Sequence, residues 1–146
     1  MLVHIVAVGR VKERALRTVL DDYLGRIRRY AKLAETELKD GDESTVQARF
    51  EKAIDPRGRT VALEVLGKPW SSHRLADEIG HCQLHSVPTL TFLIGGSYGL
   101  PPTVSRAADA RMSMSAMTFP HRLVRVMLAE QVYRGFSILK NEPYSH

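Results

Sequence analysis

The feature that most constrains this chain is a regular alternation of short apolar runs with segments of helical periodicity. Extended runs at residues 2–8, 33–38, 59–67 and 89–96 are each followed by a stretch whose apolar residues recur every three or four positions. Strands that alternate with helices are joined by crossovers, which favours a parallel sheet covered by helices on both faces. The sequence therefore predicts an α/β fold, a single three-layer domain with a mostly parallel sheet.

The predicted helices leave no obvious linker between them. They cover residues 11–31, 46–54, 74–84, 103–110 and 121–139, with a brief extended stretch at 111–115. The run TLTFLIGG is apolar throughout, which is typical of a strand buried on both faces. A length of 146 residues suits one core. We therefore expect residues 1–146 to form a single domain.

The last predicted helix, 121–139, carries apolar residues around nearly its whole circumference. A helix of this kind must be covered on all sides. In a domain of this size the pattern favours a homodimer, in which a second copy covers part of the helix. The alternative is a helix buried centrally within one chain.

The formal net charge is +5, and residues 10–32 hold all of it, with eight basic and three acidic residues. A concentrated positive surface favours a polyanionic partner, with nucleic acid first, and the alternative is a solvated helix face. No apolar run is long enough to cross a bilayer, and the first strand lacks a basic leader. We therefore expect a cytoplasmic protein with no membrane partner.

The single cysteine, Cys82, is expected to be a small apolar filler.

The stretch FLIGGSYGLPP, residues 92–102, places three glycines within five positions directly after a buried strand. Glycines let a backbone approach a ligand closely, and parallel sheets bind ligands at the carboxyl ends of their strands. The alternative is a tight turn before a helix that begins with proline. A phosphate-binding loop needs lysine and serine or threonine after its last glycine, where this chain has Leu-Pro-Pro. The loop therefore suits a ligand without phosphate groups.

Two further chemistries find little support in the sequence. The six histidines are scattered and lack the cysteine or carboxylate neighbours of a metal site, so no metal is expected. No serine lies in a nucleophile elbow. Most hydrolase classes are therefore excluded.

Several blocks of the sequence resemble the RlmH family, SPOUT-class methyltransferases that act on large-subunit ribosomal RNA. The blocks are LVHIVAVGRVKE at the start, VALEVLGKPWSS in the middle, and FLIGGSYGL with SAMTFPHRLVRVMLAEQVYRGFSI towards the end. The resemblance runs the length of the chain, and the last two blocks at this spacing are highly specific. It implies a SPOUT-type fold whose C-terminal segment forms a trefoil knot, which periodicity alone does not predict.

The resemblance implies methyl transfer from S-adenosyl-L-methionine to N3 of a pseudouridine in 23S rRNA, by a homodimer that acts on ribosomal RNA or the ribosome. It places the cofactor among the end of the third strand, the glycine loop and the stretch before the last helix. The implied cofactor-binding residues are Leu63, Gly95, Gly96, Ser115, Ala116, Met117, Thr118, Phe119 and Pro120. Thr118 is also expected to cap the last helix.

Methyl transfer to N3 displaces a proton, so the site needs a base, or a cation that stabilises the resulting anion. The candidate catalytic residues are His121, Arg125 and Tyr144. The family commonly ends in Pro-Tyr-His, whereas Ser145 here separates Tyr144 from His146, and that departure leaves His146 without an assigned role. The alternatives are a non-catalytic RNA-binding module, which the basic segment alone would support, and more distantly a nucleotide-dependent oxidoreductase.

Overall fold

Five parallel strands form the centre of the computed structural model, which describes residues 1–145. In chain order they are β1 (Leu2–Val8), β2 (Lys32–Leu38), β3 (Arg59–Pro69), β4 (Thr89–Ile94) and β5 (Ala110–Ser113). They lie side by side in the order β2-β1-β4-β3-β5. The predicted parallel α/β sheet is confirmed, and the short stretch at 111–115 supplies its fifth strand. The trefoil knot stays a prediction.

Helices cover both faces of this sheet. They are α1 (Arg14–Ile27), α2 (Glu43–Ala53), α3 (Ser72–Leu84), α4 (Pro102–Ala107) and α5 (His121–Leu139), followed by a 3-10 turn over Pro143–Ser145. One face packs against α1, α3 and α5, and the other against α2 and α4, which gives the three predicted layers. Helix α4 is shorter than predicted because Ala108 takes an extended conformation, and Ala110 already belongs to β5.

The two central strands show why the sheet must be covered twice. In β1, Val3, Ile5 and Ala7 belong to the core beneath α1, α3 and α5, whereas Val6 and Val8 belong to the core beneath α2 and α4. All six residues of β4 are buried. The apolar run TLTFLI therefore fills both layers of core, as its lack of alternation predicts.

Helix α5 lies centrally on its face, between α1 and α3. Its positions Leu128, Ala129, Val132 and Phe136 are buried within the one chain. Central burial therefore accounts for most of the apolar circumference, and the pattern alone is not evidence of a partner. Within residues 1–145 no helix, α5 included, is long and apolar enough to cross a membrane.

Strand β3 carries an irregularity beside the site described below. Leu63 and Lys68 both pair with Met112 of β5, so residues 64–67 bulge out of the ladder. Leu66, in the middle of this bulge, is 98% exposed. The bulge moves Glu64 and its neighbours away from β5 and towards the carboxyl edge of the sheet.

Candidate active site

A cavity of about 570 Å³ lies at the carboxyl edge of the sheet, between the ends of β3 and β4 and the start of α5. Its walls come from the β3 bulge, the glycine loop and the segment before α5. Open parallel sheets bind ligands at this edge. The volume falls within the range of roughly 300–1,000 Å³ that is typical of small-molecule sites.

Six of the nine predicted cofactor-binding residues line this cavity: Leu63, Gly95, Gly96, Thr118, Phe119 and Pro120. Ser115 instead faces a second cavity, and Ala116 and Met117 are exposed. The Ser115 hydroxyl accepts a hydrogen bond of 3.0 Å from the backbone N–H of Met117, so it shapes the segment. Thr118 does not cap α5, because Pro120 occupies the N-cap position without a side-chain hydrogen bond.

The glycine loop is a tight turn that forms one wall of the cavity. The backbone N–H of Gly99 donates a 3.0 Å hydrogen bond to the carbonyl of Gly96, and Gly99 has a φ of 79°, which favours glycine. A Cβ on Gly95 would lie only 2.2 Å from the carbonyl carbon of Gly99 and 2.4 Å from the nitrogen of Leu100. The tight turn that the sequence offered as one alternative is therefore present, and it also lines the cavity.

Gly96 has a different role from Gly95. A Cβ on Gly96 would lie 3.1 Å from the side chain of Val8 and 4.0 Å from a carboxylate oxygen of Asp40. Both residues line a separate groove on the other side of the loop. A side chain at Gly96 would therefore press on β1 and this groove, whereas one at Gly95 would displace the turn itself.

His121 opens α5 directly beside Gly9, the residue that follows β1. Its Cε1 atom lies 3.5 Å from the position that a Cβ on Gly9 would take, and Gly9 has a φ of 88°. The Nδ1 atom of His121 is buried and has no hydrogen-bond partner among residues 1–145. Burial, and then the positive charges of Arg122 and Arg125, lower the pKa of His121 below its ordinary value. The imidazole is therefore neutral at pH 7 and able to accept a proton.

Arg125 has no access to the cavity. Its side chain is fully buried, and its guanidinium donates hydrogen bonds to Glu35, Glu37 and the backbone carbonyl of Gly9. The guanidinium of Arg125 therefore faces the ends of β1 and β2 and not the cavity, and a catalytic role for it stays a prediction. Two acidic residues separated by one position in a strand lie on the same face of the sheet. This spacing of Glu35 and Glu37 is the feature of the sequence from which a buried cationic partner could have been predicted.

Tyr144 is held against the second half of α5. Its hydroxyl donates a 2.9 Å hydrogen bond to Glu130, and its ring packs edge-on against Tyr133 with 4.6 Å between centroids. The guanidinium of Arg134 lies 5.0 Å from the centre of the Tyr144 ring. The tail therefore docks on the domain through an aromatic and a polar contact.

One chain does not bring Tyr144 and His121 together. Tyr133 follows His121 by twelve residues, which corresponds to about 18 Å along α5. Burial, followed by hydrogen bonds to Tyr23 and Glu130, raises the pKa of Tyr144. Its phenol therefore stays protonated at neutral pH and can donate a hydrogen bond, but it is not a base. His146 lies outside the described residues.

The basic segment splits into two exposed clusters at opposite ends of α1. The near cluster, at the carboxyl edge of the sheet, is Arg10, Lys12 and Arg14. The far cluster is Arg28, Arg29 and Lys32. The 14 residues of α1 separate them by about 20 Å.

The two remaining arginines of this segment are committed to internal ion pairs. Arg17 contacts Asp21 at 2.7 Å and also pairs with Glu35, and Arg26 contacts Asp22 at 3.0 Å. Their charges are therefore balanced within the chain. The accessible positive charge of the segment belongs to the near and far clusters.

A second cavity, the apolar groove, runs between α1, α3 and α5 and measures about 620 Å³. One end is bordered by Ser115 and Phe119, which belong to the segment before α5. The other end reaches Tyr23 and Glu130, the latter being the residue that holds Tyr144. The groove therefore connects the candidate site to the docked tail.

Among residues 1–145, no group of three or more His, Cys, Asp or Glu side chains is arranged to hold a metal ion. Cys82 is buried in the core under α3, and burial raises the pKa of its thiol to about 11. The thiol is therefore not a nucleophile at neutral pH. Its expected role as an apolar filler is confirmed.

The fold and the position of the cavity define a class of protein. A three-layer α/β domain with a glycine-lined cavity at the carboxyl edge of its sheet is a small-molecule-binding domain of the open parallel kind. A family model described as "Predicted SPOUT methyltransferase" matches residues 1–146. The chain belongs to this methyltransferase family.

Curated relatives match over the full length of the chain. The "Ribosomal RNA large subunit methyltransferase H" of Sorangium cellulosum is 44% identical over 146 residues, which is 100% of both chains. The protein of the same name from Geobacter sulfurreducens is 38% identical over 153 residues, again 100% of both. The family resemblance of the sequence blocks is therefore confirmed.

Solved structures share the fold. The "Probable Methyltransferase" from Bordetella pertussis Tohama I has a TM-score of 0.58 at 10% identity, covering 92% of this chain and 95% of that one. The SpoU methyltransferase AviRb from Streptomyces viridochromogenes, described as a complex with AdoMet, has a TM-score of 0.50 at 13% identity, covering 90% and 56%. At these identities the likeness concerns the fold alone.

Proposed function

We propose that this chain transfers a methyl group from S-adenosyl-L-methionine to N3 of a pseudouridine in the 23S rRNA of the large ribosomal subunit. The observation that carries the proposal is the glycine-lined cavity, in a chain that is 44% identical over its full length to a ribosomal RNA large subunit methyltransferase H. A ribosomal substrate implies a cytoplasmic protein.

The residues around the cavity fit S-adenosyl-L-methionine. The loop lacks the lysine of a phosphate site, and this cofactor has no phosphate. It carries a positive sulfonium that activates its methyl group, and the Glu64 carboxylate lies among the lining residues. The residues that would hold it are Leu63, Gly95, Gly96, Thr118, Phe119 and Pro120.

His121 is the base in this proposal. N3 of the acceptor must lose a proton as it gains the methyl group, and a neutral imidazole accepts it. His121 lines the cavity and its imidazole is neutral at pH 7. Because Nδ1 is buried, Nε2 is the nitrogen that would take the proton. Arg125 supports it indirectly, because its bond to the carbonyl of Gly9 holds the turn against which the imidazole rests.

The apolar groove supports a homodimer. Its two ends are the segment before α5, at Phe119, and the region of Glu130 that holds Tyr144. A second copy related by a two-fold axis through the groove exchanges these ends, because such an interface uses the same patch on both copies. The Tyr144 of each copy would then lie beside the cavity of the other.

This arrangement gives Tyr144 a function that a single chain does not allow. Within its own chain Tyr144 contacts α5 at Glu130 and Tyr133, which lie about 14 and 18 Å along the helix from His121. Across a two-fold axis its protonated phenol would donate a hydrogen bond to, or stack on, the target base. A catalytic role for Tyr144 therefore requires the dimer.

The test is to incubate the protein with ribosomes that lack the modification and with labelled S-adenosyl-L-methionine, and to map the label. We expect label at N3 of one pseudouridine and cofactor binding without RNA. Label at any other position contradicts the assigned substrate. A protein that binds rRNA but neither binds the cofactor nor transfers label is the alternative RNA-binding module.

A further inference from the structure

Tyr98 stands at the tip of the glycine loop and its side chain is 100% exposed. The loop beneath it is tightly constrained. Gly96 and Gly99 pair as an isolated bridge, the 3.0 Å bond between them closes the turn, and Gly95 packs on the backbone of Gly99. The phenol is thus held out in solvent by a fixed turn, and burial in this chain does not explain it.

The position of Tyr98 links it to the candidate site. The preceding residue, Ser97, lines the 570 Å³ cavity, whereas Tyr98 borders the groove of about 530 Å³ on the opposite side of the same turn. The turn forms one wall of the cavity, so a nucleotide whose base occupies the cavity lies beside it. Its neighbour along the RNA strand then lies within reach of the exposed ring.

The charges around the groove indicate which part of an RNA would meet Tyr98. The facing wall carries Asp40, Asp42 and Glu43. Hydrogen bonds from Thr45 lower the pKa of Asp42, which is therefore ionised at neutral pH. This wall repels phosphates, so the backbone is directed elsewhere and a base is what the ring can contact.

We propose that Tyr98 stacks on an unpaired nucleobase adjacent to the target pseudouridine and so positions the RNA for methyl transfer. The inference rests on the proposed function. Aromatic side chains stack on unpaired bases of any identity, because every base presents a π face. Tyr98 is a positioning residue for the RNA and contributes nothing to holding the cofactor.

The experiment compares Tyr98→Ala and Tyr98→Phe with wild type and with Leu84→Ala, which removes another exposed apolar side chain, 80% exposed at the end of α3. Cofactor affinity is measured by calorimetry, and KM for unmodified ribosomes and kcat by transfer of labelled methyl. We expect Tyr98→Ala to raise KM about tenfold or more with unchanged cofactor affinity. Tyr98→Phe and Leu84→Ala should match wild type.

Two results overturn the inference. A wild-type KM in Tyr98→Ala means that the ring contacts no base. Loss of cofactor affinity in Tyr98→Ala means that the residue acts through the turn and not on the RNA. Failure of the proposed function is distinguishable from both, because the wild-type protein itself would then transfer no label to ribosomes.

Discussion

The guanidinium of Arg125 donates a 2.9 Å hydrogen bond to the backbone carbonyl of Gly9, where β1 ends. The same side chain pairs with Glu35 and Glu37 of β2. One buried cation thus joins α5 to two strands, directly beneath the turn that contacts His121. The contact fixes the end of β1 against α5, beside the candidate site.

Arg125→Ala should lower the free energy of unfolding by about 2 kcal/mol, because the buried carbonyl of Gly9 loses its donor and Glu35 and Glu37 keep only Arg17 as a cationic partner. Urea unfolding measures the change. Arg14→Ala is the control, since Arg14 is exposed at the start of α1, and it should stay within about 0.5 kcal/mol of wild type. Equal stability of the two variants would mean that the ion pairs of Arg125 with Glu35 and Glu37 are solvated.

Gly95→Ala should reduce the affinity for S-adenosyl-L-methionine at least tenfold, because a Cβ placed 2.2 Å from the backbone of Gly99 forces the turn out of position. Calorimetry measures the affinity, and circular dichroism checks the fold. Gly25→Ala is the matched control: a Cβ there meets nothing within 4 Å in α1, and it should stabilise the helix by about 0.5–1 kcal/mol. Wild-type affinity in Gly95→Ala would remove the turn from the cofactor site.

The methylation rate should fall as the pH drops through the pKa of His121, because only the neutral imidazole accepts the proton. Since that pKa lies below the ordinary value for histidine, activity should persist to a lower pH than for an exposed histidine. The stability contributed by His121 is fully present above the pKa that this histidine has in the unfolded chain. It is lost as the pH falls through the lower pKa of His121 in the folded protein. His121→Gln should remove this inflection from the pH–rate profile, and an unchanged profile argues for another base.

Reversing Arg28 and Arg29 to Glu should weaken binding to ribosomal RNA and flatten its dependence on salt, because fewer counterions are released. Both residues belong to the exposed far cluster. Arg26 is left unchanged because it already pairs with Asp22. Arg106→Glu, a single exposed reversal on α4, should have less than half the effect on the salt slope. Half the effect of the double reversal would indicate only a change in net charge.

Deleting residues 141–146 should abolish methylation while cofactor binding persists, and the shortened protein should still sediment as a dimer, as the full chain of 16.4 kDa should. His121→Ala should be inactive too. Mixing the two inactive proteins should restore part of the activity, because a mixed dimer contains one site with an intact base and an intact tail. No recovery on mixing, with exchange of subunits verified, would refute a site shared between copies.

Features that depend on residues close together in the sequence were predictable from it. The apolar run of β4 and the glycine turn both followed from local chemistry. The burial of Arg125 was not predictable in this way. A cationic residue on a helix is expected to be exposed, and only the tertiary fold places Glu35 and Glu37 of β2 beside it. The β3 bulge was also missed, since it arises from pairing with β5 and not from the residues that bulge.

The strand order has a consequence for how the protein folds. Residues 2–7 pair with residues 89–94 at the centre of the sheet, so β1 cannot gain its second neighbour until most of the chain has been made. Pairing between segments so distant in sequence is slow, because loop closure costs entropy before any contact forms. The glycine turn follows β4 directly and takes shape only once that strand is docked. Binding competence is therefore acquired late in folding, and a chain that ends before the glycine turn lacks one wall of the candidate site.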